Sequence, residues 1–168
     1  MNVSLRVSML STLWHHATRG WPKDGLTLQQ LYGVAATAEI TDIYVYTAEK
    51  FLAATLPWYQ KIVDEKSKQI TYEFPPAEDC VRHMLYEVLL KNRSTFVRFI
   101  LNTYCVDDPD SVLSTHDLWA FILQWGRKYD IEPAYIPISN LTLGSELEDF
   151  GYVRSSGGFW GLRLATNG

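Results

Sequence analysis

Histidines and a run of aspartates are the side chains of this sequence that could bind a metal. His15 and His16 are neighbours in a predicted helix, where adjacent side chains point about 100° apart, and no third ligand lies nearby for zinc. The aspartates at 107, 108 and 110 offer carboxylates to a hard cation, but their loop lacks the further oxygen ligands and the glycine of an EF-hand. We therefore predict no metal site and interpret residues 107–110 as a turn between helices.

Cys80 and Cys105 are the only thiols of the chain. A reactive thiolate needs a positively charged setting and a base, whereas Glu78 and Asp79 lie beside Cys80, so we predict that both cysteines are small buried groups. The phosphate-binding patterns Gly-x-x-x-x-Gly-Lys and Gly-x-Gly-x-x-Gly are absent. The sequence thus predicts no catalytic residue, no cofactor and no enzymatic activity. An enzyme of unknown type, based on the histidine pair, Cys80 and the aspartates, stays as a third hypothesis.

The composition is that of a folded chain, with 168 residues, 47% apolar and 20% charged. The formal net charge is −4, and no basic segment is present that would hold a polyanion. No apolar run approaches the roughly 20 residues that a bilayer requires, and the first residues lack the pattern of a signal peptide. Two cysteines are compatible with a reducing compartment. We expect a cytoplasmic protein without membrane contact.

Apolar periodicity and capping residues predict a mainly helical first half. Thr27 and Gln30 fit a capping box for a helix that starts at 28. Residues 64–66 resemble the solvated end of a helix, and no internal repeat is evident. Three further helices are predicted: one over 4–19, one that starts at 77, and one that is capped by Ser94 and runs to about 105. A short strand is predicted over 70–74. Residues 43–46 fit either a strand or a helix.

The last third of the chain reads as helix, link, short helix and hairpin. Ser114 or Thr115 starts the first helix, which ends on the basic pair Arg127 and Lys128, and Ser139 caps the short helix, which Gly151 ends. A hairpin follows over 152–164. Its period of two predicts one core-facing set, Trp160, Leu162 and Leu164, and one outward set, Phe159, Gly161 and Arg163.

Three segments carry a more specific pattern: Leu118 to Trp125-Gly126, Ser139-x-x-x-Leu143-Gly144-x-x-Leu147-x-x-x-Gly151-Tyr152, and Ser156-Gly157-Gly158-x-Trp160-Gly161-Leu162-x-Leu164. Together they resemble the winged-helix C-terminal domain of poxvirus- and phage-type DNA helicase-primases, over residues 94–164. In that family the domain follows an ATPase, and the resemblance implies a role in engaging DNA or partner proteins during replication. The expected fold is α+β and mainly α, with a helical region of no recognised family (1–93) packed on a winged-helix domain (94–168).

Two functional hypotheses follow from the resemblance and the charges. In the first, a viral, phage or mobile-element module assists DNA replication by binding nucleic acid through an exposed Phe159 ring and four cations, Arg154, Arg163, Arg127 and Lys128. In the second, a small inhibitor or adaptor binds a basic host protein through the acidic residues Glu146, Glu148 and Asp149. The six tryptophans and ten tyrosines are also compatible with contacts to a partner protein or to a second copy of the chain.

Overall fold

The computed structural model describes residues 3–33 and 41–165 and has an α+β fold. The chain divides into two compact units, of which the first runs to Val88 and the second begins at Leu89. Each unit contains helices and one three-stranded antiparallel sheet.

The first unit has a sheet in the order β1–β3–β2. Its elements are α1 (Val3–Thr18), β1 (Leu26–Thr27), α2 (Leu28–Tyr32), α3 (Asp42–Thr55), β2 (Gln60–Val63), β3 (Ile70–Glu73) and α4 (Ala77–Met84), which continues as a π-helix over Leu85–Leu89. The capping box is confirmed, since the Thr27 hydroxyl accepts from the Gln30 amide and the Gln30 side chain accepts from the Thr27 amide.

The segment between α3 and α4 is a hairpin, so the predicted helix end at 64–66 is wrong. The Asp64 carboxylate accepts hydrogen bonds from the backbone amides of Lys66 and Ser67, at 2.8 and 2.9 Å, and so forms the turn. Lys68 follows with a positive φ of 61°. Residues 43–46, for which the sequence allowed a strand or a helix, are helical. They belong to α3, which buries Ala48, Phe51 and Leu52.

The second unit has a sheet in the order β4–β6–β5. Its elements are α5 (Arg93–Tyr104), β4 (Cys105–Leu113), α6 (Thr115–Lys128), a 3-10 turn (Pro133–Tyr135), α7 (Asn140–Asp149), β5 (Arg154–Ser155) and β6 (Gly158–Leu164). The predicted caps Ser114 and Ser139 are confirmed, and Gly151 follows α7 with a φ of 98°.

Two predictions for this unit are wrong. The cap of α5 is Asn92 and not Ser94, since the Asn92 side chain accepts from the Thr95 amide. Residues 107–110 lie within β4 and not in a turn between helices, because the strand pairs with β6 at both of its ends and is irregular between Asp107 and Val112.

Both units repeat one topology. In each, a helix, a strand, two helices and two further strands follow one another, and the third strand lies between the other two. The repeat begins alike in sequence, with Leu26-Thr27-x-x-Gln30-Leu31 in the first unit and Leu113-Ser114-x-x-Asp117-Leu118 in the second.

The core-facing row of each sheet also repeats. Leu26 and Lys61 flank Tyr72 in the first unit, and Leu113 and Arg154 flank Phe159 in the second. In both rows the leucine and the ring are buried, and the cation forms an ion pair with the last glutamate of the third helix, Lys61 with Glu49 and Arg154 with Glu148. The chain therefore contains an internal structural repeat, so the prediction of no repeat is wrong; beyond the short segments at 26–31 and 113–118, the likeness lies in the order of elements and in the paired rows.

Candidate functional site

The predicted faces of the second hairpin are wrong for Phe159 and Trp160, which exchange places, and confirmed for Leu162, which is buried, and Arg163, which is exposed. Phe159 is 0% exposed and Trp160 is 54% exposed, so Phe159 offers no ring for stacking on a base. Gly161 has a φ of 88°, which interrupts the regular alternation and lets Phe159 and Leu162, three residues apart, both face the core.

Arg154 and Glu148, predicted to bind different partners, instead bind each other. The Arg154 Nε donates to Glu148 Oε1, and the guanidinium lies 5.0 Å from the centre of the Phe159 ring. Gly144 leaves room for this arrangement, because a Cβ at that position would overlap the guanidinium of Arg154.

Arg163 is also engaged within the unit. Its Nε donates to Asp108 Oδ2 at 3.0 Å and its Nη1 donates to the carbonyl of Leu164 at 3.4 Å. Hydrogen bonds from the Asp110 amide, the Ser111 hydroxyl and Arg163 lower the pKa of Asp108. Asp108 therefore anchors the irregular part of β4 and holds an arginine.

The other predicted site residues lie on α6 and α7. Arg127 and Lys128 are exposed at the end of α6, where the Lys128 ammonium lies 5.7 Å from the centre of the Tyr129 ring. On α7, Asp149 is exposed and Glu146 is half-buried. The structure therefore brings together Arg154, Glu148 and Phe159, and carboxylates of the unit pair with two of the four predicted cations, Arg154 and Arg163.

An apolar row crosses the outer face of the second sheet. Trp160 lies opposite Val112 of β4, and on its other side its amide donates to the carbonyl of Val153 at 3.0 Å. All three side chains are exposed. Two exposed carboxylates, Asp107 and Asp110, lie in the irregular part of β4 before Val112. We call Val112, Trp160 and Val153 the tryptophan row.

Sequence reasoning missed the tryptophan row because strict alternation assigned Trp160 to the core. The signal that could have found it is the glycine pattern, with Gly158 and Gly161 on either side of Phe159 and Trp160. Glycine within a strand often marks a bulge or a close backbone approach, and a Cβ on Gly158 would overlap the backbone of Leu113.

Other kinds of site are not visible in the described part of the chain. Within residues 3–33 and 41–165 no group of three or more histidine, cysteine, aspartate or glutamate side chains could hold a metal. No helix among these residues is sufficiently long and apolar to span a bilayer. Cys80 and Cys105 are buried, and burial raises the pKa of both thiols.

Comparisons of the chain with models of protein families, with curated proteins and with solved structures found no match.

Proposed function

We propose that this protein is a non-enzymatic, winged-helix type adaptor whose second unit binds a protein partner through the tryptophan row. The observation that carries the proposal is the exposure of Trp160 in the middle of a three-stranded sheet, between two exposed valines. Tryptophan is among the residues most enriched at the energetic centres of protein interfaces. An apolar row of this kind is unusual on a surface that contacts only water.

Two further observations support the winged-helix part of the proposal. The second unit has the order helix, strand, helix, helix, strand, strand, with the third strand in the centre of the sheet. Its sequence also resembles the helicase-primase domain over 94–164. This resemblance suggests a partner from a DNA replication complex or, for an inhibitor, a nucleic-acid enzyme of the host.

The charge around the tryptophan row favours a partner with a basic rim. Asp110 is exposed two residues before Val112 in β4, and the cation of Arg163, which lies on β6 with Trp160, is paired with Asp108. Complementary rim charges raise the association rate and reduce binding to acidic competitors. Proteins that act on nucleic acids commonly carry such basic surfaces.

Nucleic-acid binding by this same unit has less support. Arg154 and Arg163 each form an ion pair with a carboxylate of the unit, and Phe159 is buried. Arg127 and Lys128 are exposed, but specific duplex binding commonly uses about 6–10 phosphate contacts.

Partner capture by the full-length protein tests the proposal. Trp160→Glu should weaken the affinity for a specific partner by about 30-fold and so reduce its recovery from the lysate of the producing cells, because hot-spot residues contribute about 2 kcal/mol or more. Tyr135→Glu is the matched control, since Tyr135 is equally exposed but lies in the 3-10 turn and outside the row. Circular dichroism verifies that both variants fold.

The proposal is wrong if both variants recover the same proteins as the wild type. Addition of 0.3 M salt should slow association of the partner if its rim is basic, because surface charges are screened at that ionic strength.

A further inference from the structure

A groove of the first unit lies between α4 and the turn that joins α3 to β2. Four residues of α4 and of the π-helix that continues it line the groove at positions i, i+3, i+4 and i+7 and so share one face: Asp79, Arg82, His83 and Tyr86. Trp58, in the turn before β2, lines it as well. The groove has a volume of about 640 Å³, which is within the usual range for ligand sites.

Two large aromatic rings of this groove are open to solvent. Trp58 is 58% exposed and Tyr86 is 42% exposed. The centres of the Trp58 and His83 rings lie 4.6 Å apart with the ring planes at 76°, so an edge contact holds the indole against α4. Pro75 adds further apolar surface to the groove. Exposed aromatic rings that line a groove are the recurring feature of sites for proline-rich segments.

The wall of the groove includes an uncommon stretch of backbone. Tyr86 and Glu87 belong to the π-helix Leu85–Leu89. Leu85 and Leu89 at its two ends are buried, so this turn is anchored in the core while the Tyr86 ring faces solvent. Turns of π-helix are rare and occur frequently at functional sites. The backbone thus points to the same place as the exposed rings.

The polar groups beside these rings include three unused hydrogen-bond donors. The indole NH of Trp58, the guanidinium of Arg82 and the hydroxyl of Tyr86 form no hydrogen bond or ion pair with any residue in 3–33 or 41–165. The carbonyl of Pro75, in contrast, is occupied, since it accepts from Trp21 Nε1 at 2.9 Å and from Cys80 Sγ at 3.4 Å. A ligand that supplies acceptors would satisfy the three donors.

We propose that this groove binds a proline-rich segment of a partner protein in the polyproline II conformation. Such a segment offers carbonyl acceptors but no amide donors at its prolines, which matches the unused donors of the groove. Its proline rings pack against Trp58 and Tyr86. Two carboxylates, Asp79 and Glu87, against the single cation of Arg82 favour a basic residue beside the prolines and disfavour a phosphate-bearing ligand. This site goes beyond the proposed function, because it lies in the first unit.

Binding of the full-length protein to a fluorescent decapeptide, one arginine followed by prolines, tests the proposal by anisotropy. This peptide should bind at least about tenfold more tightly than one with glycine and serine in place of the prolines, because a polyproline II helix loses less entropy on binding. Glutamate in place of the arginine should weaken binding about two- to fivefold, which is the effect of an exposed ion pair.

Two tryptophans of similar exposure provide matched variants that locate the site. Trp58→Ala should weaken binding of the proline peptide at least about tenfold, because it removes the ring on which the prolines pack. Trp160→Ala, in the second unit and 54% exposed, should change the affinity less than about twofold. Tyr86→Phe keeps the ring and removes only the hydroxyl donor, so it should weaken binding about fivefold. Circular dichroism verifies that each variant folds.

Equal losses from Trp58→Ala and Trp160→Ala would overturn the proposal. So would equal affinity for the glycine-serine peptide, tighter binding of the glutamate peptide, or the absence of binding at about 1 mM proline peptide. None of these measurements uses the partner captured through the tryptophan row, so this proposal and the proposed function are tested separately.

Discussion

Phe159 and Trp160 are neighbours in β6, yet one ring is buried and the other is exposed. A regular strand places neighbours on opposite faces, so the pattern by itself allows either assignment. Gly161, with its positive φ, brings Leu162 to the same side as Phe159, and this side faces the core. The residue that matters for stability is therefore Phe159, and the residue available to a partner is Trp160.

Alanine substitutions at these two neighbours test this assignment. Phe159→Ala should lower the free energy of unfolding by about 3–5 kcal/mol, the cost of deleting a fully buried ring. Trp160→Ala should cost less than about 1 kcal/mol because most of its ring surface is already in water. Urea denaturation measures both, and a larger loss for Trp160→Ala than for Phe159→Ala would contradict the structure.

The two thiols should be inert in the folded protein. Burial raises the pKa of the Cys105 thiol to about 12 and also raises that of Cys80, so at pH 8 both stay protonated and shielded. A thiol reagent at pH 8 should titrate neither cysteine before urea is added and both afterwards. Rapid reaction of either thiol in the native state would be inconsistent with its burial.

The same pKa shift has a consequence for alkaline stability. The folded state keeps the Cys105 proton to higher pH than the unfolded state. The stability that the protonated thiol contributes is therefore complete below the ordinary thiol pKa of about 8.5. It decreases as the pH rises from there towards about 12.

At the scale of elements, two glycines show how the second hairpin is joined to its neighbours. Gly144 of α7 faces the mobile end of the Arg154 side chain, whereas Gly158 of β6 faces the backbone of Leu113 and has a φ of 152°. A side chain can move away from a new methyl group, but a paired strand cannot do so without loss of its hydrogen bonds.

Alanine at each glycine should therefore have a different effect. Gly158→Ala should destabilise the protein by about 2 kcal/mol or more, because of backbone strain and overlap. Gly144→Ala should change stability by less than about 1 kcal/mol, since the helix propensity of alanine offsets the loss of an exposed ion pair. Thermal unfolding measures the stability of both variants, and equal shifts in Tm would refute this explanation.

At the scale of the whole molecule, two units share one frame and differ in their surfaces. Each has a leucine, an aromatic ring and a cation across the core-facing row of its sheet, and a glutamate of the third helix forms an ion pair with the cation. In the first unit the ring is Tyr72, whose hydroxyl also donates to Glu49 at 3.0 Å. The hairpin and the third helix are thus joined in the same way twice.

This equivalence predicts a tolerated core substitution. Phe159→Tyr would place a hydroxyl where Tyr72 has one, in the direction of Glu148, and should change the free energy of unfolding by less than about 1 kcal/mol. Phe96→Tyr is the control, since Phe96 is equally buried but packs against the Trp125 ring and has no counterpart carboxylate in the repeat. It should cost about 1–3 kcal/mol in urea denaturation. Equal costs would contradict the equivalence.

Local signals in the sequence were sufficient for several helix starts and for parts of the candidate site. Thr27, Ser114 and Ser139 cap the helices that they were predicted to cap, because a cap involves atoms only three residues apart. The buried positions Leu143 and Leu147 of α7 also follow from helical spacing. The second hairpin was identified for the same reason, since its turn glycines and flanking strands are contiguous.

Tertiary structure alone decided the remaining features, since they depend on residues that are distant in sequence. Arg163 pairs with Asp108, 55 positions away, and this contact turns a predicted interhelical turn into part of a sheet. Burial of Phe159 required Leu113 opposite it, and the ion pairs of Arg154 and Lys61 required helices that fold back onto each hairpin. The sequence by itself determined features that depend on neighbouring residues, such as the caps at Thr27, Ser114 and Ser139, whereas packing between distant segments determined the extent of β4, which ring of the second hairpin is buried and which charges are neutralised.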